Sequence, residues 1–390
     1  MRKILFSRVD CSGNESLYVQ QVLDSGWLTT ASKAHELEKK FSEITGAKHA
    51  CAVNSCTSAL HLALEAVGVG AGDTVLVPTW TFTASAEVIR YLGADPIFLD
   101  VEYGTCALSP EIIKKAVENN PNAKALVVVH FAGQATSLGN REEDGIAEFC
   151  SEHGVKIIED AAHAFPASVD SEMVGNIGDV TCFSFYANKT MTTGEGGMLT
   201  TNDDAVAQRV KLMRLHGIDR DVWGRFTDDK SSWEYDILAP GFKYNMPDIN
   251  AAIGLAQLER VFDSRQSRQQ CAEYYMTNLS DITCIDLPLI RVPYEDHAWH
   301  VFSITLNSKA KIDRNRLIEL LASDGIGTSV HYKPLHRMSY YKERYNLSPE
   351  KFPNAELIWK GCMSLPIYSS LNEGELSYIC ERLHFHLDEK

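Results

Sequence analysis

The stretch Cys182-Phe-Ser-Phe-Tyr-Ala-Asn-Lys-Thr-Met-Thr-Thr-Gly-Glu-Gly-Gly197 carries the most informative pattern in the sequence. It begins as a short apolar run typical of a buried strand and ends in a glycine-rich turn, with Lys189 between the two. Such a turn lets the backbone approach a ligand closely, and an amine removed from water loses its proton more readily and becomes a nucleophile. Because lysines are mostly exposed, the stretch taken alone more often indicates a surface lysine, so its context must decide.

That context is a series of short apolar runs, separated by glycine and proline, that alternate with helical patterns through the first two-thirds of the chain. Most of the runs are apolar at every position, as expected for strands buried on both faces. With helices between them they predict an α/β core built on a mostly parallel sheet with right-handed crossovers. The predicted strands are Thr74–Val77, Pro96–Asp100, Ala125–Val129, Lys156–Ile158, Val180–Tyr186 and Gly197–Thr201.

The pattern changes after Pro247, where the spacing of apolar residues predicts one long helix from Asp248 to Leu279 with Asp248 as its N-cap. A smaller α+β unit follows. We predict a large α/β domain over residues 1–250 and a smaller C-terminal domain over residues 251–390 that begins with this connecting helix. The elements predicted in the smaller domain are strands at Val301–Leu306 and Gly327–Tyr332 and helices at Arg314–Ser323 and from Asn372.

Carboxylates end one of the predicted strands, in Lys156-Ile-Ile-Glu-Asp-Ala-Ala-His163. Ligands of open α/β sheets bind at the carboxyl ends of the strands. Pyridoxal 5′-phosphate (PLP), a cofactor held by a lysine, needs an acid beside its ring nitrogen because the protonated ring is the electron sink. Asp160 fits that role, and Glu159, which alternates to the other face, is the second choice. His163 is either a core histidine or a contact to the ring oxygen of PLP.

A phosphate site is predicted at Val53-Asn-Ser-Cys-Thr-Ser-Ala-Leu-His-Leu-Ala-Leu64, a polar turn that opens an amphipathic helix. The free amides of a first helical turn and the positive end of the helix dipole attract phosphate, and Thr57 and Ser58 offer hydroxyl donors. Ser184 also suits a phosphate. A helix start rich in serine and threonine is more often only a cap, so this pattern is weak by itself.

Two aromatic residues in Pro78-Thr-Trp-Thr-Phe-Thr-Ala-Ser85 follow a predicted strand at the same sheet edge. One of them, Trp80 or Phe82, could lie flat on the PLP ring while the other packs elsewhere.

Composition excludes several other classes of protein. The chain is 45% hydrophobic and 23% charged, and no stretch approaches the ~18 apolar residues of a membrane span. The N-terminus lacks the features of a signal peptide, so we expect a cytoplasmic location. A net charge of −15 disfavours binding to nucleic acid or anionic lipid. The ten cysteines form no CxxC pair, so we expect reduced, mostly structural thiols and no metal site.

Taken together, these residues resemble the DegT/DnrJ family of PLP-dependent nucleotide-sugar aminotransferases. The resemblance implies a fold type I architecture, similar to that of aspartate aminotransferase, with PLP in the large domain. In detail the chain is most similar to the branch that aminates C4 of UDP-linked 4-keto sugars, such as the enzyme that makes UDP-4-amino-4-deoxy-L-arabinose. The segments that carry the resemblance are 25–30, 57–64, 159–163, 183–197, 240–252, 297–300 and 331–336.

The resemblance also implies roles for particular residues. Lys189 would carry PLP as a Schiff base, Asp160 would pair with its pyridine nitrogen, and Phe82 rather than Trp80 would stack on its ring. The phosphate would be held by Thr57, Ser58 and Ser184, with Lys243 and Asn245 contributed by the neighbouring subunit of a homodimer. Three positions depart from the usual family pattern: Lys243 replaces a common asparagine, Cys56 a glycine and His163 a frequent glutamine.

The reaction implied is transfer of an amino group from L-glutamate, by way of pyridoxamine 5′-phosphate, to C4 of a nucleotide-linked 4-keto sugar for polysaccharide or glycan biosynthesis. Lys33, Arg220 and Arg225 are candidates for binding the sugar's diphosphate. One alternative is a PLP-dependent sugar dehydratase of the same fold, but such relatives carry a histidine at the position of Lys189. The other alternative is a non-catalytic regulatory protein, which we expect to have lost the lysine or the aspartate.

Overall fold

The computed structural model describes residues 3–139, 145–219 and 235–387. Helices and strands alternate through the first half of the chain, as the apolar runs predict. In order they are α1 (Glu15–Ser25), α2 (Ser32–Thr45), β1 (His49–Val53), α3 (Cys56–Ala66), β2 (Thr74–Pro78), α4 (Ala84–Tyr91), β3 (Asp95–Leu99), α5 (Pro110–Asn119), β4 (Ala123–Val129), α6 (Ile146–Glu152), β5 (Lys156–Asp160), β6 (Ser168–Val169), β7 (Glu172–Met173), β8 (Val180–Ser184), β9 (Gly197–Thr201) and α7 (Asp204–Met213).

Seven of these strands form one sheet in the order β1-β9-β8-β5-β4-β2-β3. Strands β3, β2, β4, β5 and β8 run parallel, and β9 and β1 add antiparallel pairs at one edge. The predicted strands agree with the observed ones to within two residues at either end. Strand β1 was not predicted, because its sequence His-Ala-Cys-Ala-Val has little preference for a strand and its pairing with β9 decides its conformation.

The central strands are buried on both faces. In β4, Ala125, Val127 and Val129 belong to one apolar cluster, whereas Leu126 and Val128 belong to another on the opposite side of the sheet. Burial of each valine or leucine side chain contributes about 1.5–3 kcal/mol. A strand that is apolar at every position is therefore stable only where helices cover both faces of the sheet.

The long helix predicted from Asp248 to Leu279 is two helices, α8 (Asp248–Leu258) and α9 (Val261–Asn278), with a break at Arg260. Helix α8 packs against α1 and α2, so the predicted domain division after residue 250 falls inside a helix that is attached to the large unit.

Asp248 is not the N-cap of α8, a position that Pro247 occupies. Its buried carboxylate instead accepts hydrogen bonds from the backbone amides of Ala31 (2.7 Å), Lys33 (3.0 Å) and Ala34 (3.0 Å). These amides lie at the start of α2, where no intrahelical acceptor exists, so Asp248 caps a helix far away in sequence.

The C-terminal part forms a second, three-stranded antiparallel sheet in the order β10-β11-β12. The prediction of a strand at Gly327–Tyr332 was wrong: only Ser329 makes an isolated bridge, to Ser364. The partner of β11 is instead β12, about 60 residues later in the chain. The elements here are β10 (Ile285–Asp286), β11 (Phe302–Leu306), α10 (Arg314–Ser323), α11 (Ser339–Arg344), α12 (Pro353–Gly361), β12 (Cys362–Leu365) and α13 (Glu373–Leu387).

Candidate active site

A cavity of about 480 Å³ opens at the carboxyl ends of the parallel strands, the edge at which open α/β sheets bind ligands. It brings together residues that the sequence analysis singled out from four separate segments. Those in its wall are Thr57, Phe82, Asp160, His163, Ser184 and Lys189.

Lys189 follows β8 in a turn in which its backbone amide donates to the carbonyl of Tyr186 (3.0 Å). Its side chain is half-buried, and Nζ lies 3.5 Å from Nε2 of His300. Burial lowers the pKa of Lys189 to about 8, because the charged ammonium loses water, and the neighbouring Cys56 and Asp160 oppose this shift. Roughly one tenth of such an amine is neutral at pH 7, compared with roughly one in several thousand for an ordinary lysine. Lys189 is thus a potential nucleophile at neutral pH.

Asp160 ends β5 and is 6% exposed. Its Oδ2 accepts a hydrogen bond from Oγ of Ser85 (2.6 Å), and its Oδ1 accepts one from the backbone amide of Ala162 (3.1 Å). These bonds fix the orientation of the carboxylate in the wall of the cavity. A carboxylate has more acceptor positions than these two donors fill, so it can also accept from a ligand.

Glu159 points to the opposite side of the sheet and does not line the cavity. It is fully buried and accepts from His130 Nε2 (2.7 Å), Thr181 Oγ1 (2.6 Å) and the amide of Gly178 (2.7 Å). Burial alone raises the pKa of Glu159, but the bonds from these three donors and the charge of His130 outweigh it and hold the pKa below its ordinary value. Neighbouring protein groups therefore hold the carboxylate of Glu159 away from the cavity.

The N-terminus of α3 forms another part of the cavity wall. Cys56 and Thr57, which open this helix and line the cavity, have backbone amides without intrahelical acceptors. The chain approaches closely here, because a Cβ atom at Gly197 would lie 2.7 Å from the backbone nitrogen of Cys56. Only glycine lets β9 pass the start of this helix.

The structure does not bring Ser58 to the cavity. Its backbone amide donates to Oγ of Ser55 (3.1 Å), and its buried hydroxyl donates to Oδ1 of Asn54 (2.6 Å) and lies 2.8 Å from Oγ of Ser55. The cap of this helix is Ser55, the commoner role of a serine at a helix start, and Ser58 in the first turn is bonded to that cap and to Asn54.

The two aromatic candidates lie in different environments. Phe82 is 58% exposed, lines the cavity and has its ring centroid 6.1 Å from that of Tyr332. Trp80 is fully buried in the apolar cluster that also contains Leu126 and Val128.

Three residues to which the sequence analysis gave no role line the cavity beside His163. They are His300, His331 and Tyr332. Nδ1 of His163 accepts from the amide of Ala132 (3.3 Å), so its proton is assigned to Nε2, which donates to the hydroxyl of Tyr332 (2.9 Å). Burial, with the charges of Lys189 and His331, holds the pKa of His163 well below its ordinary value. The segments 297–300 and 331–336 stood out in the sequence, but nothing in it showed that they meet His163.

Lys243 and Asn245 do not line the cavity of their own chain. Nζ of Lys243 donates to Oδ1 of Asn245 (2.6 Å), and Nδ2 of Asn245 donates to Oγ1 of Thr30 (2.6 Å). Lys33 is also outside the cavity, and its Nζ lies 3.5 Å from Glu36 Oε2. The predictions for Arg220 and Arg225 fall outside the described residues.

The residues of the cavity fit PLP, and the fold with its cavity defines the class of fold type I PLP-dependent enzymes. A nucleophilic lysine, a fixed carboxylate and the N-terminus of a helix supply what an amine-linked ring with a phosphate requires. The chain belongs to the DegT/DnrJ/EryC1/StrS aminotransferase family, whose sequence pattern matches residues 10–384. It is therefore a PLP-dependent sugar aminotransferase.

Individual relatives agree over nearly the whole chain. The spore coat polysaccharide biosynthesis protein SpsC of Bacillus subtilis is 40% identical over 367 residues, which cover 93% of this chain and 92% of SpsC. Among solved structures, the PMP form of the putative sugar aminotransferase Spr1654 from Streptococcus pneumoniae has a TM-score of 0.89 at 30% identity, covering 99% of each chain. PseC of Helicobacter pylori, an aminotransferase of pseudoaminic acid biosynthesis, has a TM-score of 0.90 at 25% identity, covering 99% of this chain and 100% of PseC.

The described parts of the chain, residues 3–139, 145–219 and 235–387, lack a membrane-spanning helix and a cluster of metal ligands. No helix there is long and apolar enough to cross a membrane. No group of at least three His, Cys, Asp or Glu residues in those parts could hold a metal ion. None of the ten cysteines, all of which lie in the described ranges, forms a disulfide, and nine of them are buried.

Proposed function

We propose that the protein transfers an amino group from L-glutamate to C4 of a nucleotide-linked 4-keto sugar, as a step of polysaccharide or glycan biosynthesis. The observation that carries the proposal is the pairing, in one cavity, of a half-buried Lys189 whose pKa is about 8 with a carboxylate, Asp160, fixed by two hydrogen bonds. The names of two relatives, in spore coat polysaccharide and pseudoaminic acid biosynthesis, support a sugar-building role.

In this proposal Lys189 first holds the cofactor covalently and then, once its amine is released, moves a proton as general base and general acid. PLP supplies an electron sink that stabilises negative charge on the substrate carbon. A pKa near 8 suits both tasks of Lys189, since the amine can give and take a proton near neutral pH. Nε2 of His300, at 3.5 Å, stays neutral because burial holds the pKa of His300 well below its ordinary value.

Asp160 would hold a proton on the ring nitrogen of the cofactor. Ser85 and the amide of Ala162 keep its carboxylate oriented. On the same proposal, Phe82 would cover the ring from the exposed wall of the cavity. Nε2 of His163, which faces the hydroxyl of Tyr332, would donate to the ring oxygen.

The cofactor's phosphate would lie at the N-terminus of α3. Its donors would be the amides of Cys56 and Thr57 and the hydroxyls of Thr57 and Ser184, all of them in the cavity wall. We drop Ser58 from the proposed set, because its hydroxyl and amide are already bonded to Asn54 and Ser55.

The active unit would be a homodimer with sites shared between subunits. Lys243 and Asn245 stand just before α8, held by Thr30 and by each other and away from the cavity of their own chain, which suits a contact to the neighbouring subunit's phosphate. Mixing Lys189→Ala subunits with subunits inactivated at Lys243 and Asn245 would regenerate one intact site in each heterodimer. No recovered activity, with subunit exchange demonstrated, counts against shared sites.

The alternatives of a dehydratase and a non-catalytic protein receive no support from the cavity. Lys189 is present, its pKa is lowered, and it shares the cavity with a fixed acid.

The test of the proposal is incubation of the purified protein with PLP, L-glutamate and a panel of UDP-, dTDP- and GDP-linked 4-keto sugars, with the products analysed by mass. Formation of a 4-amino sugar supports the proposal, and a deoxygenated sugar without nitrogen would instead indicate the dehydratase.

A further inference from the structure

A second cavity, of about 200 Å³, adjoins the active-site cavity, and Lys189 lies in the walls of both. It is formed by the N-terminal segment 8–10, the residues after Lys189 and the first two turns of α9. Its wall is mainly polar and includes the hydroxyls of Thr190, Thr192, Ser264, Ser267 and Ser369.

Positive charge dominates this second cavity. Of its two acids, Asp10 is already bonded to Arg260 Nη2 (3.0 Å) and to the amide of Ser12 (3.0 Å), and Asp263 is exposed to solvent, which screens it. Because Arg260 is the partner of Asp10, three further basic side chains remain to set the charge of the cavity, namely Arg8, Lys189 and Arg268. The cavity therefore favours an anionic ligand.

Arg268 is the most informative residue of this cavity, because its charged side chain is buried without an acidic partner. Its side chain is 4% exposed, and Nη1 donates only to the backbone carbonyls of Ile367 (3.0 Å) and Trp299 (3.4 Å). Its Nε is buried and has no partner within the described part of the chain. Burial lowers the pKa of Arg268 to about 10, so the guanidinium remains charged at neutral pH. Buried charges normally have a counter-charge, and neutral carbonyls do not provide one.

We propose that this second cavity binds a carboxylate of the amino donor, with Arg268 as its charged ligand and Arg8 at the rim. The inference rests on the proposed function, because it assigns a binding site to the donor of that reaction. A guanidinium matches a carboxylate with two parallel hydrogen bonds. The hydroxyls of Thr190, Ser264 and Ser369 in the same wall supply further donors.

The position of Lys189 favours the donor over the other anion of the reaction, the sugar's diphosphate. Since Lys189 contributes to both walls, the second cavity lies next to the residue proposed to hold the cofactor, and a ligand group there would be close to the reacting carbon. The carboxylates of an amino acid such as glutamate are one and three bonds from that carbon. A diphosphate on C1 is separated from C4 by the width of the sugar ring.

The test separates the two half-reactions. The cofactor absorbance is followed while the PLP form is titrated with L-glutamate, and the aminated form is then titrated with the keto sugar. Arg268→Gln should raise the concentration of L-glutamate needed for half-maximal rate about tenfold to a hundredfold, as expected for loss of a charged hydrogen-bond partner. The sugar half-reaction should keep its wild-type parameters. Arg265→Gln is the matched control, because it removes the same charge from the same helix outside the cavity wall.

A second variant and a binding measurement cover the case in which Arg268→Gln folds poorly. Arg8 is exposed, so Arg8→Gln should fold normally and raise the L-glutamate requirement by a smaller factor, about twofold to fivefold. Calorimetry with glutarate, which has the two carboxylates of glutamate but no amine, should detect binding to the wild-type protein and weaker binding to both variants, with or without PLP.

Three results overturn the inference: unchanged L-glutamate parameters in folded Arg268→Gln and Arg8→Gln, an equal loss in both half-reactions, or glutarate binding that is absent or insensitive to both substitutions. Failure of the proposed function has a different signature. In that case the wild-type protein does not react with L-glutamate at all, while glutarate binding still reports on the cavity.

Discussion

The lowered pKa of Lys189 predicts how its reactivity changes with pH. An amine reacts as a nucleophile only in its neutral form, and with a pKa of about 8 the neutral fraction is roughly 1% at pH 6, 9% at pH 7, 50% at pH 8 and 91% at pH 9. The rate of acylation of Lys189 in the cofactor-free protein should therefore rise about tenfold from pH 6 to 7 and about fivefold from pH 7 to 8. It should less than double from pH 8 to 9.

An ordinary lysine, with a pKa near 10.4, instead gains about tenfold per pH unit up to pH 9. Competitive labelling with a limiting amount of a neutral acylating reagent, followed by peptide mass analysis, measures Lys189 and the exposed lysines of the same digest together. The exposed lysines serve as the internal reference. Labelling of Lys189 that keeps rising tenfold per unit between pH 8 and 9 would refute the reasoning that burial lowers its pKa.

Three further predictions concern the acidic residues. Asp160→Asn should leave the fold intact and lower transamination by about two or more orders of magnitude, because an amide cannot hold a proton on the ring nitrogen; near-normal turnover in a steady-state assay would exclude this role. Asp248→Ala should lower the free energy of unfolding, measured in urea, by about 2–4 kcal/mol, since three amides at the start of α2 lose a charged acceptor. A loss under about 1 kcal/mol would contradict this capping role. Glu159→Gln should lower the free energy of unfolding by about 3 kcal/mol at pH 7. Because the folded-state pKa of Glu159 is lowered, this difference between the two proteins should shrink as the pH falls below the ordinary glutamate pKa of about 4.3. A difference that stays constant down to pH 3 would contradict the last of these.

Much of the large sheet could be predicted from the sequence, because a strand covered on both faces must be apolar at every position. The run Ala125–Val129 of β4 has this property, and β8 approaches it, with Thr181 and Ser184 as its polar residues. Each of the two strands begins within two residues of its predicted start. The positions of Lys189 and Asp160 at one sheet edge follow from the same reasoning, since parallel strands end at a common edge. The homologous family could be predicted from the order of the motifs alone, and the match over residues 10–384 confirms it.

Elements whose conformation depends on distant partners could not be predicted. Strand β12 forms because it pairs with β11, and the predicted strand at Gly327–Tyr332 has only one bridge to that sheet. The helical pattern from Asp248 to Leu279 continues through Arg260, but the helix is interrupted there. The reason is that α8 packs on the large unit and α9 on the small one.

The sequence by itself therefore determined the class of fold, the cofactor lysine proposed here and its acid partner, because each is encoded in a short local pattern. Only the tertiary structure decided which other side chains share the cavity. His300 and Tyr332 meet His163 across 137 and 169 residues of chain, and Arg268 becomes a buried charge beside Lys189 only when α9 packs against the segment that follows β8. Hydrophobic periodicity records which face of an element is buried, but burial and hydrogen bonding between distant segments set the neighbours of each polar group.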